Sequence, residues 1–196
     1  MPIKTKRLLV ATGNQGKLRE IKAILTDYEV LGAKEMGLPF DVEETGVNFS
    51  ENAFIKANAL RALTDCAVLA DDSGLCVDVL GGAPGIYSAR YAGENATDED
   101  NVEKLLTALQ DTPDENRTAR FVSSVCLITE DGDVLYGEGL CEGLILREPK
   151  GNGGFGYDPV FYSLDFNESF GILTPEQKNA VSHRKRALED LKKQLI

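Results

Sequence analysis

The stretch that decides the fold lies near the N-terminus, at residues 8–25: LLVATGNQGKLREIKAIL. Its first part, residues 8–12, is a short apolar run typical of a buried strand. The next four residues, Gly-Asn-Gln-Gly at 13–16, have the composition of a turn. Apolar side chains then recur at helical spacing at Leu18, Ile21, Ile24 and Leu25. The sequence therefore predicts a strand, a glycine turn and a helix in direct succession.

Such an opening suits the binding of a phosphate group. A turn that begins a helix presents free backbone N–H groups and the positive end of the helix dipole. Lys17 adds a cation at the same place. The stretch is not a Walker A loop, because only two residues separate Gly13 from Gly16 and no Ser or Thr follows Lys17. A plain strand-to-helix turn is the alternative interpretation.

Composition and charge exclude several classes of protein. The 196 residues suit one domain or two closely packed lobes, and 42% hydrophobic with 27% charged residues is ordinary for a globular chain. No apolar run approaches the ~20 residues of a membrane-spanning helix. With 21 Lys and Arg against 32 Asp and Glu, the net charge of −11 disfavours binding to nucleic acid or to an anionic membrane. A small anionic ligand is compatible with this charge if local cations or a metal offset it.

The N-terminus and the cysteines point to the cytoplasm. The start, MPIKTKR, is basic, but the apolar stretch at 8–11 is too short for a signal peptide. The four cysteines form no CxxC pair, and the single histidine is too few for a Cys/His zinc site. We therefore expect a cytoplasmic protein whose thiols are reduced and mostly buried.

Local signals predict the remaining elements. An Ala-rich helix is expected over about 50–63, and a buried strand over 67–70 that ends at Asp71-Asp72-Ser73-Gly74. Residues 81–93 are glycine-rich and predict a long loop. A capping box predicts a helix after Thr97, and a hairpin is expected with strands at 119–129 and 134–147. Two more helices are expected after Thr174 and after Ser182.

Two acidic segments have the residue types of a catalytic or metal site. Asp71 and Asp72 follow an apolar strand, and ligands in open α/β sheets bind beyond the carboxyl ends of strands. Since successive strand residues point opposite ways, the two should not share one role. Glu43 and Glu44 offer carboxylate oxygens of the kind Mg²⁺ takes. A solvated acidic turn and a surface charge pair are the alternatives.

Two later segments suit a nucleotide. Residues 151–159 hold four glycines around Phe155 before Tyr157, so the backbone can approach a ligand closely and the ring offers a flat face. Residues 183–186, HRKR, concentrate positive charge in an acidic protein. If a helix begins at Ser182, these cations lie at the positive end of its dipole, and an anionic group or a polar ligand nearby would resolve that conflict. A glycine hairpin and a solvated basic helix face are the alternatives.

Taken in order, these segments resemble one family. The resemblance rests on residues 9–17 (LVATGNQGK), 43–46 (EETG), 51–53 (ENA), 70–75 (ADDSGL), 81–91 (GGAPGIYSARY), 153–159 (GGFGYDP) and 182–184 (SHR). The segments resemble the inosine triphosphate pyrophosphatases, the XTP/dITP diphosphatases. This resemblance runs from about residue 8 to the last helix. It implies an α/β fold with an elongated, mixed, twisted β-sheet flanked by helices and two lobes around a central substrate cleft. It also implies a single domain over 1–196 and a homodimer.

The resemblance also implies an activity and its residues. The reaction is the Mg²⁺-dependent hydrolysis of ITP, dITP or XTP to the monophosphate and pyrophosphate, which cleans the nucleotide pool. The catalytic residue and proton acceptor would be Asp72, which would also bind metal together with Glu43 or Glu44. Substrate contacts would be Thr12, Gly13, Asn14, Gln15, Gly16, Lys17, Ser73, Phe155, Gly156, Tyr157, Asp158, Lys178, His183 and Arg184. A phosphotransferase and a non-catalytic nucleotide-binding module remain the alternatives.

Overall fold

The structure is a computed structural model, and it describes residues 6–195. The interpretation of the N-terminus depends partly on residues 1–5, which lie outside this range. The strands are β1 (Lys6–Val10), β2 (Tyr28–Gly32), β3 (Ala67–Val77), β4 (Thr118–Ile128), β5 (Val134–Ile145), β6 (Phe161–Ser163) and β7 (Glu168–Ser169). The α-helices are α1 (Gln15–Ile24), α2 (Phe49–Arg61), α3 (Asp98–Ala108), α4 (Pro175–Val181) and α5 (His183–Lys192).

The strands form one mixed, twisted sheet flanked by helices, which confirms the expected sheet and fold class. The strand order is β2-β1-β3-β4-β5-β6-β7. β1 runs parallel to both β2 and β3, whereas β6 runs antiparallel to β5 and to β7. β3 therefore lies inside the sheet, with β1 on one side and β4 on the other.

Several helix ends follow from the sequence as expected. Asn14 caps α1 by accepting a hydrogen bond from the Lys17 backbone N–H at 3.0 Å. The capping box predicted at Thr97 is present, and Thr174 caps α4, which has Pro175 as its first residue. The ends at Thr97 and Thr174 are set by neighbouring residues, so the sequence alone predicts them.

Other expectations are corrected. The strand expected to end at residue 70 continues to Val77, so Asp71, Asp72 and Ser73 lie within β3 and not in a turn after it. β1 pairs with β3 at Ala67–Leu69 and β4 is its neighbour on the other side, while the two carboxylates farther along are compensated by cations. The loop expected at 81–93 contains a 3₁₀-helix at Gly85–Arg90. The short strands β2, β6 and β7 were not predicted.

The chain divides into two compact units. The first contains residues 6–72, Ser123–Gly139 and 184–195, and its core lies on both faces of the sheet. Leu8 and Val10 of β1 pack with α1 and α5, and Leu9 and Ala11 pack with α2. This alternation is the period of two expected for a strand that is buried on both faces.

The second unit contains Ser73–Val122 and Leu140–His183. Its core joins α3 to β6 through Leu105, Leu109, Phe161 and Phe170. Within residues 6–195, no helix is long and apolar enough to cross a membrane.

Candidate active site

The strand, the glycine turn and the helix predicted at residues 8–25 form in the first unit, and they contain the predicted phosphate loop, residues 12–17. The structure brings together all six of its predicted residues, from the end of β1 to the first turn of α1: Thr12, Gly13, Asn14, Gln15, Gly16 and Lys17. The Thr12 hydroxyl accepts a hydrogen bond from the Asn14 backbone N–H at 3.1 Å, which shapes the turn. Gly13, Asn14 and Gln15 are exposed. The turn can therefore present backbone N–H groups and the helix dipole to an anion.

Asp71 is the centre of a buried charge network. Its carboxylate is inaccessible to solvent and accepts from Lys17 Nζ at 3.0 Å, Arg184 Nη2 at 3.2 Å and Ser123 Oγ at 2.6 Å. Burial alone would raise the pKa of Asp71, but Arg184 and Lys17 hold that pKa well below its usual range. Arg184 also pairs with Glu20 through its other terminal nitrogen. Asp71 and Glu20 thus supply the anionic groups that the cation at the start of α5 requires.

Asp72 lies in a different environment from its neighbour. Its Oδ1 accepts from Lys56 Nζ at 2.9 Å, and its Oδ2 accepts from Asn52 Nδ2 at 3.2 Å. Lys56 Nζ also contacts Glu44 Oε1 at 2.7 Å, so two carboxylates share one ammonium. Burial raises the pKa of Asp72, against the opposing attraction of Lys56. The structure therefore separates the two aspartates as their alternation along a strand predicts.

A glycine allows Asn52 to hold the acidic segment in place. The Asn52 side chain accepts from the Gly46 backbone N–H at 2.8 Å, and a Cβ on Gly46 would lie 2.6 Å from Asn52 Oδ1. Only glycine permits so close an approach. The same amide therefore contacts both Asp72 and the backbone two residues beyond Glu44.

The acidic residues fit Mg²⁺ in their donor chemistry. Glu44 and Asp72 converge on one cation, Lys56, whereas Glu43 is exposed. Mg²⁺ in nucleotide sites usually takes one or two carboxylates together with waters and phosphate oxygens. Among residues 6–195, no group of three or more His, Cys, Asp or Glu side chains forms a metal cage. Such a pair suits an ion that arrives with a phosphate ligand.

The glycine loop (residues 153–158) belongs to the second unit. Gly154 and Gly156 have φ of +75° and +61°, a conformation that favours glycine, and a Cβ on Gly154 would lie 2.0 Å from Asp158 Oδ2. The buried Asp158 carboxylate accepts from the Phe155 backbone N–H at 2.9 Å and from Lys178 Nζ at 2.6 Å. Lys178 Nζ lies 4.6 Å from the centre of the Phe155 ring. The loop thus holds a half-buried aromatic ring beside a buried ion pair.

Three more predicted residues lie in this unit. Tyr157 is buried, its hydroxyl donates to the Ser88 backbone oxygen at 2.7 Å, and burial raises its pKa. The His183 ring stacks on Phe121, with centroids 4.8 Å apart and an angle of 15° between the planes. Both side chains are fixed by protein contacts. Ser73, also predicted, lies half-buried in β3.

Some residues of these clusters were not predicted: Glu20, Lys56, Ser88 and Ser123. Lys56 carries the clearest signal that was missed. It lies on the same face of α2 as the buried Ala53, Ala57 and Leu60, and it is only 7% exposed itself. A lysine on the apolar face of a helix is rarely buried without an anionic partner. That pattern alone would have pointed to a carboxylate on the sheet below.

Comparisons with known proteins identify the family of the chain. The model of the Ham1 family matches residues 8–194. Curated relatives named dITP/XTP pyrophosphatase include one from Clostridium perfringens, 47% identical over 97% of each chain. Another, from Halalkalibacterium halodurans, is 49% identical over 97% of this chain and 99% of the relative.

Solved structures show the same fold. The Ham1 protein of Staphylococcus aureus has a TM-score of 0.85 and 44% identity, over 97% of this chain and 98% of that chain. A HAM1 protein from Coxiella burnetii has the same TM-score, 0.85, and 43% identity, over 97% and 98% of the two chains. The family match, these relatives and these folds confirm the resemblance drawn from the motifs, and the chain belongs to the Ham1 family.

Proposed function

We propose that this protein hydrolyses ITP, dITP and XTP to the nucleoside monophosphate and pyrophosphate with Mg²⁺, and so keeps these bases out of DNA and RNA. The chain is a nucleoside-triphosphate pyrophosphatase, since its curated relatives carry that name at 47–49% identity over nearly their whole length. We further propose that it prefers these purines and that it needs Mg²⁺.

The observation that carries the mechanism is the contrast between the two neighbouring aspartates. Asp71 is surrounded by Lys17, Arg184 and Ser123, so its negative charge is already compensated within the protein. Asp72 shares the single ammonium of Lys56 with Glu44. This contrast favours Asp72 as the group that accepts the proton of a water attacking the α-phosphorus. The bond from the α-phosphorus to the bridging oxygen then breaks, and pyrophosphate leaves.

The phosphate loop fits the triphosphate. A triphosphate carries about four negative charges at neutral pH, which the dipole and backbone N–H groups at the start of α1, together with the Lys17 ammonium, can partly offset. Lys17 is already oriented by its contact with Asp71 at 3.0 Å. Positioning and charge neutralisation supply most of the catalysis in such transfers.

Mg²⁺ would be held by Asp72 together with Glu43 or Glu44. The contact of Glu44 with Lys56, close to Asp72, favours Glu44 over the exposed Glu43. When bound, Mg²⁺ neutralises phosphate charge and makes the attacking water more acidic.

The purine base would contact residues of the glycine loop and their neighbours. In this proposal the Phe155 ring stacks on the base, and Gly156, Tyr157 and Asp158 contact base and sugar. Lys178, His183, Arg184 and Ser73 complete the contacts. The half-buried Phe155 ring beside Lys178 supports this assignment, because such a ring can stack on any purine.

Product analysis of an ITP incubation, with and without Mg²⁺, tests the proposal. We expect IMP and pyrophosphate in equal amounts, only when Mg²⁺ is present. A phosphorylated acceptor in place of free pyrophosphate would indicate a phosphotransferase, and binding without turnover would indicate a nucleotide-binding module.

A matched pair of variants tests the phosphate loop. We expect Lys17→Ala to lower kcat/KM by roughly 2–4 kcal/mol of transition-state binding, the range for one electrostatic donor. Lys22→Ala removes a cation from the same helix, but Lys22 pairs with Glu35, so kcat/KM should stay near the wild-type value. Equal effects of the two substitutions would mean that general charge, and not the loop, binds the triphosphate.

We also infer a homodimer that works in the cytoplasm and binds neither nucleic acid nor membrane. The net charge of −11 supports the last two points, since it repels both phosphate backbones and anionic lipid. Light scattering of the purified protein tests the dimer, which should have twice the 21.3 kDa mass of the chain.

A further inference from the structure

Three successive residues of the glycine loop are held by three different anchors. The Phe155 N–H donates to Asp158 within the loop, as described above. The Gly156 N–H donates to Asp98 Oδ2 at 2.7 Å, and the Tyr157 hydroxyl donates to Ser88. Two of the three anchors are therefore outside the loop, in residues to which the proposed function gives no role.

The backbone of Asp98 is well fixed because Asp98 is the first residue of α3, and its exposed side chain contacts Gly156 from that position. The helix end is closed by the reciprocal bonds of its capping box: Asp100 Oδ2 accepts from the Thr97 N–H at 2.8 Å, and Thr97 Oγ1 accepts from the Asp100 N–H at 3.1 Å. The helix is packed into the core through Val102 and Leu105. Asp98 thus gives the Gly156 N–H a hydrogen-bond acceptor on a stable helix end.

The glycine loop needs such a contact to hold one conformation. Gly154 and Gly156 both have positive φ, and glycine has more accessible backbone conformations than any other residue. A hydrogen bond from a backbone N–H to a carboxylate is stronger than one to a neutral oxygen. The Asp98 contact therefore selects one conformation of a segment that could adopt several.

The same helix also supports the second anchor. The buried Asn101 accepts from the Ala92 N–H at 2.7 Å and donates to the Ala89 oxygen at 3.2 Å. It thereby holds the segment that contains Ser88, the partner of Tyr157. This gives the motif at 81–91 a structural purpose, since part of it presents Ser88 to the loop.

We propose that Asp98 is a positioning residue for recognition of the purine base: it holds Gly156, and with it the Phe155 ring, in the conformation that binds the nucleotide. The inference depends on the proposed function, because it assigns the base to this loop. It predicts that Asp98 affects substrate binding and leaves the chemical step unchanged.

Kinetics of three variants test the binding effect. For Asp98→Ala we expect KM for ITP to rise about tenfold, equivalent to about 1.4 kcal/mol, with kcat within about twofold of wild type. Asp98→Asn keeps an acceptor oxygen and should restore most of the affinity. Glu99→Ala, the matched control, removes the next carboxylate of the same helix turn and should behave like wild type.

Fluorescence tests loop position without any nucleotide. The chain contains no tryptophan, so Phe155→Trp introduces a single indole into the loop. Adding Asp98→Ala to this variant should make the indole more accessible to acrylamide quenching, whereas adding Glu99→Ala should not.

The outcomes separate this inference from the proposed function. Equal effects of Asp98→Ala and Glu99→Ala, or a fall in kcat with KM unchanged, would overturn the positioning role. Unchanged quenching in the Asp98→Ala variant would do the same. If the wild-type protein fails to hydrolyse ITP, the proposed function fails, while the quenching comparison still decides whether Asp98 holds the loop.

Discussion

Replacement of Arg184 by alanine should destabilise the protein strongly. The side chain is 1% exposed and joins two carboxylates, Asp71 and Glu20, through separate nitrogens. Removing one partner of a buried ion pair costs about 3–5 kcal/mol. Asp71 keeps Lys17 and Ser123 in the variant, so we expect the lower end of this range, about 3 kcal/mol. For a chain of this size that corresponds to a fall of about 6–12 °C in Tm.

Urea denaturation and calorimetry of two further variants make this prediction specific. Arg184→Lys keeps the positive charge but replaces the planar guanidinium, which contacts Asp71 and Glu20 through separate nitrogens, with one ammonium on a shorter side chain, so its loss of stability should be intermediate. Lys185→Ala removes the neighbouring cation, whose contact with Glu189 is at the surface, and should change the free energy of unfolding by less than about 0.5 kcal/mol. The reasoning is refuted if Arg184→Ala and Lys185→Ala are equally stable.

Five further predictions concern the two aspartates, the metal, the thiols and the base. Asp71→Asn should destabilise the fold, as urea titrations can measure. Because the pKa of Asp71 is lowered in the folded protein, the wild-type protein should be more stable than this variant at neutral pH, and the difference should shrink as pH falls below about 4. Asp72→Asn should fold but release no pyrophosphate; an active Asp72→Asn with an inactive Asp71→Asn would reverse the two roles. Excess chelator should abolish turnover, and full activity there would exclude a metal-dependent reaction. Burial raises the pKa of Cys126 to about 11, so iodoacetamide should label the half-buried Cys66 in the folded protein and Cys126 only after denaturation, as peptide mass mapping can show. Phe155→Ala should lower kcat/KM for ITP and for ATP alike, because stacking of a base on the ring does not depend on the substituents of the purine.

The parts of the fold that the sequence predicts are those set by neighbouring residues. Thr97 and Thr174 each cap a helix within three positions of themselves, so the signal lies in one short stretch. The strands β6 and β7, of three and two residues, exist only through pairing with other strands, and no local pattern indicates them.

The candidate site shows the same division between local and distant signals. The phosphate loop is a single run of residues, and its geometry follows from its own turn and cap. Lys56 and Ser123 contact the aspartates only because α2 and β4 pack beside β3. Their contribution to the site therefore depends on the tertiary fold. For Arg184 the sequence indicates that an anion is needed, but only the fold identifies Asp71 and Glu20.

Because the two aspartates lie inside β3, the number of strand residues that precede them is a constraint on the chemistry. Register with β1 pairs Leu8 with Ala67 and Leu9 with Val68, and the strand is bounded by β4 on its other side. Because side chains alternate along a strand, the loss or gain of one residue just before Asp71 would turn each carboxylate toward the other's cations. If that residue is apolar, the net charge of the strand would stay the same while the site failed. Evolution at this strand is therefore freer to exchange the surrounding apolar residues than to insert or delete a single position.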